Sequence, residues 1–360
     1  MAAWLNINKL LPKRSAVLIT RINIKGFYGI NTSIELGPLT VITGSPGSGK
    51  SMIIELVWRV FRGVRDRLFL EDLARVGDAR VDVTITLDDR VRRRLEEVGY
   101  QGDSATISVG FDDGYTGVIR VGDREVLVTE FRNGVSRVKY PLDVEVADAS
   151  ALLNPDGLLP KGQALQLLGS ASEDYETVLS VVKALRDYLL SVGIYRIGPY
   201  IDFRGRARGS DASYTDFIGE HGEHVVEVLS QLFTDPRRDP DIRFLRRILG
   251  ELGLRNFRAG WYNGELVLSY IDRRGLVHIG DEPPCHVKAI LALMTQLMVA
   301  RKPSLILLDN ADYCLSEGLG NTVTKLLSNY IDGRQLIMEV RNKWFIEELK
   351  MPHVVQYSMD

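Results

Sequence analysis

Cysteine is scarce in this chain: Cys285 and Cys314 are the only two among 360 residues. Two thiols cannot build a disulfide framework, and their spacing matches no zinc-site pattern. Both are therefore expected to be small buried side chains beside apolar stretches. Histidine is also rare, with five. His221 and His224, in "GEHGEHVVE", lack H-E-x-x-H spacing and read as part of a polar turn. Long apolar runs are missing. The most apolar helical stretch, "AILALMTQLMVA", is too short to cross a bilayer and carries Thr295 and Gln296. No segment combines a charged head, an apolar body and a small-residue cleavage site, so no secretion signal is read. The expectation is a cytoplasmic protein with no membrane contact. Net charge is small as well, at −2. A protein that gripped nucleic acid with its whole surface would be strongly basic, so any contact with DNA must come from a local patch or a groove formed on assembly. There is no internal repeat, low-complexity tract or sustained heptad.

What is present is an ordinary globular composition, 45% hydrophobic and 26% charged, long enough for two or three lobes. After a short opening extension, "VLITRINIKGFYGI" and "TSIELGPLTVITG" pattern as strands around a "GFYGIN" turn. The second leads into a Gly-rich loop. "KSMIIELVWRVFRGV" then places Ile53, Ile54, Val57, Trp58, Val60 and Phe61 at helical spacing. From Asp78 to Val146 successive strands are joined by DD, DG, GD and NG turns, with one charged helix, "DRVRRRLEEVG", between them. Residues 161–255 read as mainly helical around a polar, Gly-rich stretch. A short hairpin with an Asn-Gly turn follows, then alternating helices and strands that include "SLILLD" and "RQLIMEV". Four parts are expected: 1–77 and 259–360 as the two portions of a nucleotide-binding lobe, 78–150 as an antiparallel β subdomain, and 151–258 as a helical subdomain.

The chemistry concentrates in two places. "GSPGSGKS" (Gly44, Ser45, Pro46, Gly47, Ser48, Gly49, Lys50 and Ser51) fits G-x-x-x-x-G-K-[ST] between an apolar strand and an amphipathic helix. Its glycines let the backbone close around phosphate with N–H groups turned inward. Lys50 reaches the β- and γ-phosphates, the Ser51 hydroxyl suits Mg2+, and the helix start adds its positive end. The alternative is a chance Gly-rich turn, which the flanking strand and helix disfavour. "SLILLDN" supplies the second place: an acid closing a buried strand is where a P-loop protein keeps its magnesium-binding Asp, here Asp309.

The order of these parts resembles the ABC-type head of the RecF and SMC superfamily. The resemblance rests on "INIKGFYGI", "LGPLTVITGSPGSGKS" and the late "LILLD". "IYRIGPYIDFR" followed by "IGEHGEHVVEVL" is loosely similar to the strand and G-x-x-G-E-N segment of RecF-like ATPases. It implies an α/β P-loop NTPase fold: a largely parallel core sheet, an antiparallel β subdomain and a helical subdomain. It further implies ATP with Mg2+, two heads closed around nucleotide as a homo- or heterodimer, and work on DNA in repair, recombination or genome maintenance. With Asp309 only 258 positions after Ser51 and no heptad, the chain looks like a compact head without a coiled-coil arm.

Three departures from the family's pattern bear on turnover. The glutamate that follows the metal-binding Asp is Asn310, and an amide can orient water but cannot take its proton. The Ser-Gly loop that reaches the partner's nucleotide is replaced by "GDEPPCHVK". Pro284 and Cys285 stand near its position, and Asp281 and Glu282 would repel phosphate. The switch histidine corresponds to Arg341, which cannot act as a neutral base. Weak or impaired ATP hydrolysis is the expectation, with Asp312 as a stand-in carboxylate and Asn310→Glu as a gain-of-turnover test. The alternative is a non-catalytic ATP-binding scaffold or regulatory subunit completed by a partner ATPase. A kinase or GTPase layout fits the long interval poorly. For nucleic acid, Arg204, Arg206 and Arg208 lie near Tyr200, Phe203 and Tyr214 in a Gly-containing loop and are candidates for DNA contact. The charged segment "PRRDPDIRFLRR" mixes in acids and reads as a solvated helix face.

Overall fold

The computed structural model describes residues 18–63, 78–150, 152–161, 171–203, 216–349, 351 and 354–359. Three sheets organise them. β1 (Ile19–Phe27) and β2 (Ile30–Glu35) form a hairpin. β3 (Leu39–Gly44) then leads through the Gly-rich loop into α1 (Lys50–Gly63). Next come β4 (Ala79–Thr86), α2 (Asp89–Glu97), β5 (Ser104–Phe111), β6 (Tyr115–Val121), β7 (Arg124–Arg132), β8 (Val135–Tyr140) and β9 (Val144–Glu145). The Asp88 carboxylate accepts from the Val91 amide and caps the start of α2. α3 (Ala171–Ser191) runs into β10 (Gly193–Ile197), and α4 (Val225–Thr234) and α5 (Asp239–Glu251) follow. β11 (Arg255–Tyr262), β12 (Glu265–Ile271) and β13 (Val277–Ile279) make a three-stranded sheet. The chain closes with α6 (Cys285–Val299), β14 (Ser304–Leu308), α7 (Gly320–Tyr330), β15 (Arg334–Glu339), α8 (Lys343–Glu348) and β16 (Val354–Met359).

The central sheet has the order β10-β14-β15-β3-β16, and every neighbouring pair is parallel. β14 reads as a nearly unbroken apolar run because both of its faces are covered, while the edge strands β10 and β16 alternate. Leu305 and Leu307 of β14, Ile337 of β15 and Ile42 of β3 pack into one core with α1 and the eight-stranded sheet. Their alternate neighbours Ile306, Leu308, Leu336, Met338 and Val41 pack into a second core with α4–α7. A one-residue slip in any strand would exchange the two faces, so the cores fix the register that aligns the strand ends.

The antiparallel strands expected between 78 and 146 are present, and Asn133–Gly134 closes the β7–β8 turn with both φ angles positive. The sheet is larger than that stretch, however. β1 pairs with β4 as well as β2, giving the order β2-β1-β4-β5-β6-β7-β8-β9. β1 and β2 thus belong to the antiparallel sheet although they precede the phosphate loop. A buried side chain ties the two sheets together: Gln335 of β15 accepts from the Ile19 amide at 2.8 Å and donates to the Ile19 carbonyl at 2.7 Å and the Gly37 carbonyl at 3.0 Å. The stretch read as helical also contains β10, an edge strand of the parallel sheet. Its α3 packs into the first core, whereas α4 and α5 build the second.

Candidate functional site

β3 ends at Gly44, and α1 starts at Lys50, so the link between strand and helix is the loop the motif describes. Gly44, Gly47 and Gly49 have φ of 145°, 82° and 94°, a region that side chains rarely enter. At Gly44 a Cβ would also collide with the backbone carbonyl of Met359, because β16 pairs alongside β3 there. The loop lines a cavity of about 390 Å³ whose other walls are Met52, Glu339 and Arg341. Lys50 is buried, and its ammonium donates to the Gly44 and Ser45 carbonyls at 2.9 and 2.8 Å, with the Ser48 hydroxyl at 3.4 Å. The amide of Ser48 donates to the Ser45 carbonyl at 3.2 Å, closing the turn around Pro46.

Parallel pairing brings the ends of β14 and β15 beside this loop. Asp309 follows β14 and is buried. Glu339 ends β15, is 2% exposed, and accepts a hydrogen bond from the Ser51 hydroxyl at 2.5 Å. Burial first, and then its contact with the Asp309 carboxyl, push the Glu339 carboxyl above the usual carboxylate range. Two carboxyls and a hydroxyl form an oxygen-only donor set, which suits a hard divalent cation such as Mg2+. Magnesium takes its remaining ligands from phosphate and water. Among the described residues no group of three or more His, Cys, Asp or Glu side chains gathers to hold a metal. Arg196 of β10 is central to the charge balance. Its guanidinium meets Asp309 at 3.3 Å and Glu220 at 3.1 Å, and it also pairs with Glu55 of α1. One cation thus holds acids from α1 and from the segment after β14.

Sequence reading did not single out Glu339 or Arg196. A signal existed for Glu339: a charged residue at the end of "RQLIMEV" is the counterpart of the Asp that ends "SLILLD".

The half of the site expected to activate water is arranged differently. Asn310 is buried with φ of 57°, a conformation that asparagine tolerates better than most residues, and its carbonyl accepts from the Tyr313 amide at 2.9 Å. Asp312, expected as a stand-in carboxylate, is engaged within the fold. Its carboxylate is buried and accepts from the Arg341 amide, from the Asn342 amide at 2.7 Å and from the Asn342 side chain at 2.6 Å. It ties the turn after β14 to the chain leaving β15. Arg341 stands at the cavity rim with its side chain 61% exposed, 3.7 Å from Glu339. The expectation of two separate buried cysteines is overturned: Cys285 and Cys314 form a disulfide with a Cα–Cα separation of 5.6 Å. Cys285 is exposed at the start of α6 and Cys314 half-buried in the turn after Asp312. Next to this bond, Pro284 precedes the first turn of α6, and Glu282 pairs with Lys288 at 2.7 Å.

The remaining candidates lie elsewhere. His221 bonds through its ring to the Tyr200 carbonyl, and His224 lies 3.4 Å from Glu227, a polar turn. Arg204, Arg206 and Arg208 lie outside the described residues. None of the described helices is long and apolar enough to cross a membrane.

No protein-family profile matches the chain, and no curated protein does. Among solved structures, it is similar to an Smc head domain with an extended coiled coil bound to the C-terminal domain of ScpA, derived from Pyrococcus furiosus. That pair shares 17% identity over 95% of this chain and 94% of the other, with a TM-score of 0.47. An SmcHead bound to the C-winged helix domain of ScpA shares 15% identity over 92% and 91%, with a TM-score of 0.45. The SMC head domain from Thermotoga maritima shares 14% over 94% of each chain, with a TM-score of 0.42. At such identities and scores, the functional reading rests on the geometry of the site.

Proposed function

We propose that the chain binds a nucleoside triphosphate, ATP by its resemblance to the RecF and SMC class, together with Mg2+, and holds it far more readily than it hydrolyses it. The observation that carries this reading is the convergence of Lys50, Ser51, Asp309 and Glu339 at the Gly-rich loop. Lys50 now donates to its own loop carbonyls; on binding it would turn those bonds to the β- and γ-phosphates. Backbone amides of Gly47–Ser51 and the start of α1 would receive the phosphate oxygens. Ser51, Asp309 and Glu339 would hold Mg2+, which when bound neutralises phosphate charge. Arg196 keeps Asp309 in place. Turnover is slow in this reading because the described carboxylates nearest the Gly-rich loop are already engaged and none stands ready to take a proton from water. Asn310 is an amide, Asp312 is filled by three donors, and Glu339 is committed to Ser51 and the cation.

The wider setting belongs to the same proposal: an ATP-closed dimer that works on DNA in the cytoplasm. There the half-exposed Cys285–Cys314 bond would have to withstand cellular thiols. One observation favours an unlike partner. The start of α6 offers Pro284 and acids where a partner's phosphate would need donors, so a second ATPase chain would complete the site formed by Gly44–Ser51.

The test is nucleotide affinity with and without Mg2+, for the parent and Glu339→Gln. The parent should bind ATP more tightly with the cation. The variant should keep metal-free binding and lose most of the gain from magnesium. An unchanged magnesium dependence in Glu339→Gln would remove Glu339 from the cation site.

A further inference from the structure

A second charged surface lies away from the phosphate loop, on α5 and β11. α5 turns Ile242, Leu245, Ile248 and Leu249 into the second core, which leaves Arg243, Arg246 and Arg247 on its exposed face. Two of these are held by aromatic rings: the Arg246 guanidinium lies 5.1 Å from the Phe233 centroid, and that of Arg247 lies 4.8 Å from Phe244. β11 adds Arg255 and Arg258. Three residues apart, they would face opposite sides of a regular strand. The pairing with β12 shifts register between them, with Asn256 at φ of 50°, and both come out exposed. Arg246, Arg255 and Arg258 line a groove of about 340 Å³ with Gly250, Asn256 and Phe257.

No carboxylate pairs with these five arginines among the described residues. Of the neighbouring acids, Asp235 pairs with Arg237 at 2.9 Å, Asp241 with Arg238 and the Tyr330 hydroxyl, and Glu251 with Lys325 at 2.7 Å, while Asp239 is exposed one turn before Arg243, away from the groove lining. In a chain of net charge −2, five unneutralised guanidinium groups are a strong local concentration. Arginine's planar fork matches the oxygens of a phosphate. The rings at the groove are not available for base stacking, since Phe257 is buried and Phe233 carries Arg246 on its face. The groove between α5 and the start of β11 thus offers charge without a stacking face, which suits the outside of a duplex better than an unpaired strand; Trp261 and Tyr262, exposed at the far end of β11, lie outside its lining.

We propose that α5 and β11 form a binding site for the phosphate backbone of duplex DNA, an inference that rests on the reading of the chain as a protein that works on DNA. It gives a role to the segment "PRRDPDIRFLRR", which reads from sequence as a merely solvated face.

The test is fluorescence anisotropy with a labelled DNA duplex over a range of salt, on the full chain. A variant carrying Arg246→Glu, Arg255→Glu and Arg258→Glu is compared with the parent and with the three Arg→Lys changes. ATP retention, which uses none of these residues, reports folding. Affinity should fall at least thirtyfold in the Glu variant. The slope of log affinity against log salt should shrink by roughly two to three, about 0.9 for each phosphate no longer neutralised. The Lys variant should keep most of the slope. Unchanged affinity and slope in the Glu variant would overturn this site and leave DNA binding to another surface. A parent that binds no duplex but captures labelled polyglutamate would overturn it in favour of an acidic protein partner. A parent that binds neither would overturn this site together with the DNA reading, while the nucleotide proposal would stand.

Discussion

The two sides of the cavity at the Gly-rich loop are built on different principles. On the β3–α1 side the backbone is the instrument: three glycines at positive φ, a lysine directed into the loop and a helix start, all open to an incoming phosphate. On the side formed by the exits of β14 and β15 and the start of α6, polar groups bind one another. Asp312 takes three donors from the chain after β15, Asn310 opens a tight turn, and a disulfide joins that turn to α6. Of that side, Glu339 and Arg341 line the cavity, and Asp309 meets Glu339 behind them. The difference teaches that holding a triphosphate and cutting it are separable demands. In the proposed reading the first side serves the former, while the polar groups of the second are engaged in the fold.

That division can be broken from either side. The largest effect is expected from the disulfide. Closing a loop of 29 residues removes enough unfolded-chain entropy to contribute roughly 3–4 kcal/mol. Reduction, or Cys285→Ser, should lower the melting temperature clearly while ATP affinity stays near the parent's; an unchanged melting curve would show that the bond stabilises little. Lys50→Ala should act in the opposite sense. Losing two charge-assisted bonds to phosphate should weaken ATP on the order of a hundredfold with little change in thermal stability. Equal affinity by equilibrium titration would contradict the loop's role. Asp312→Ala leaves three donors without an acceptor and should cost about 2 kcal/mol in denaturant unfolding. A gain in turnover there would mean the residue had been wrongly removed from the chemistry. Asn310→Glu is the smallest. A bulkier side chain at φ of 57° should cost about 1 kcal/mol, and phosphate release should rise. No rise would place the limit elsewhere than in the missing carboxylate.

The phosphate loop and the strand before Asp309 were legible because each is local: a motif within eight residues, and an apolar run ending in an acid. Hairpins with Asn-Gly turns were legible for the same reason, since Asn263–Gly264 and Asn133–Gly134 accept two positive φ angles in succession. What was hidden is set by pairing over long distances. Nothing within β1 says that its partner is β4, more than fifty residues away, and nothing within Cys285 points to Cys314. Glu339 escaped notice because its meaning comes from Ser51, 288 residues earlier, through the order β14-β15-β3. The engagement of Asp312 is hidden for a related reason: the residue lies close in sequence to Asp309, while its three donors come from residues 341 and 342.

The most direct test of the central claim is a single-turnover experiment. Protein is placed in excess over labelled ATP with magnesium, and retained nucleotide and released phosphate are followed together, with Lys50→Ala alongside. Tight retention with almost no phosphate release, abolished in Lys50→Ala, is the predicted result. Rapid phosphate release by the parent would contradict the account, as would nucleotide retention that does not depend on Lys50.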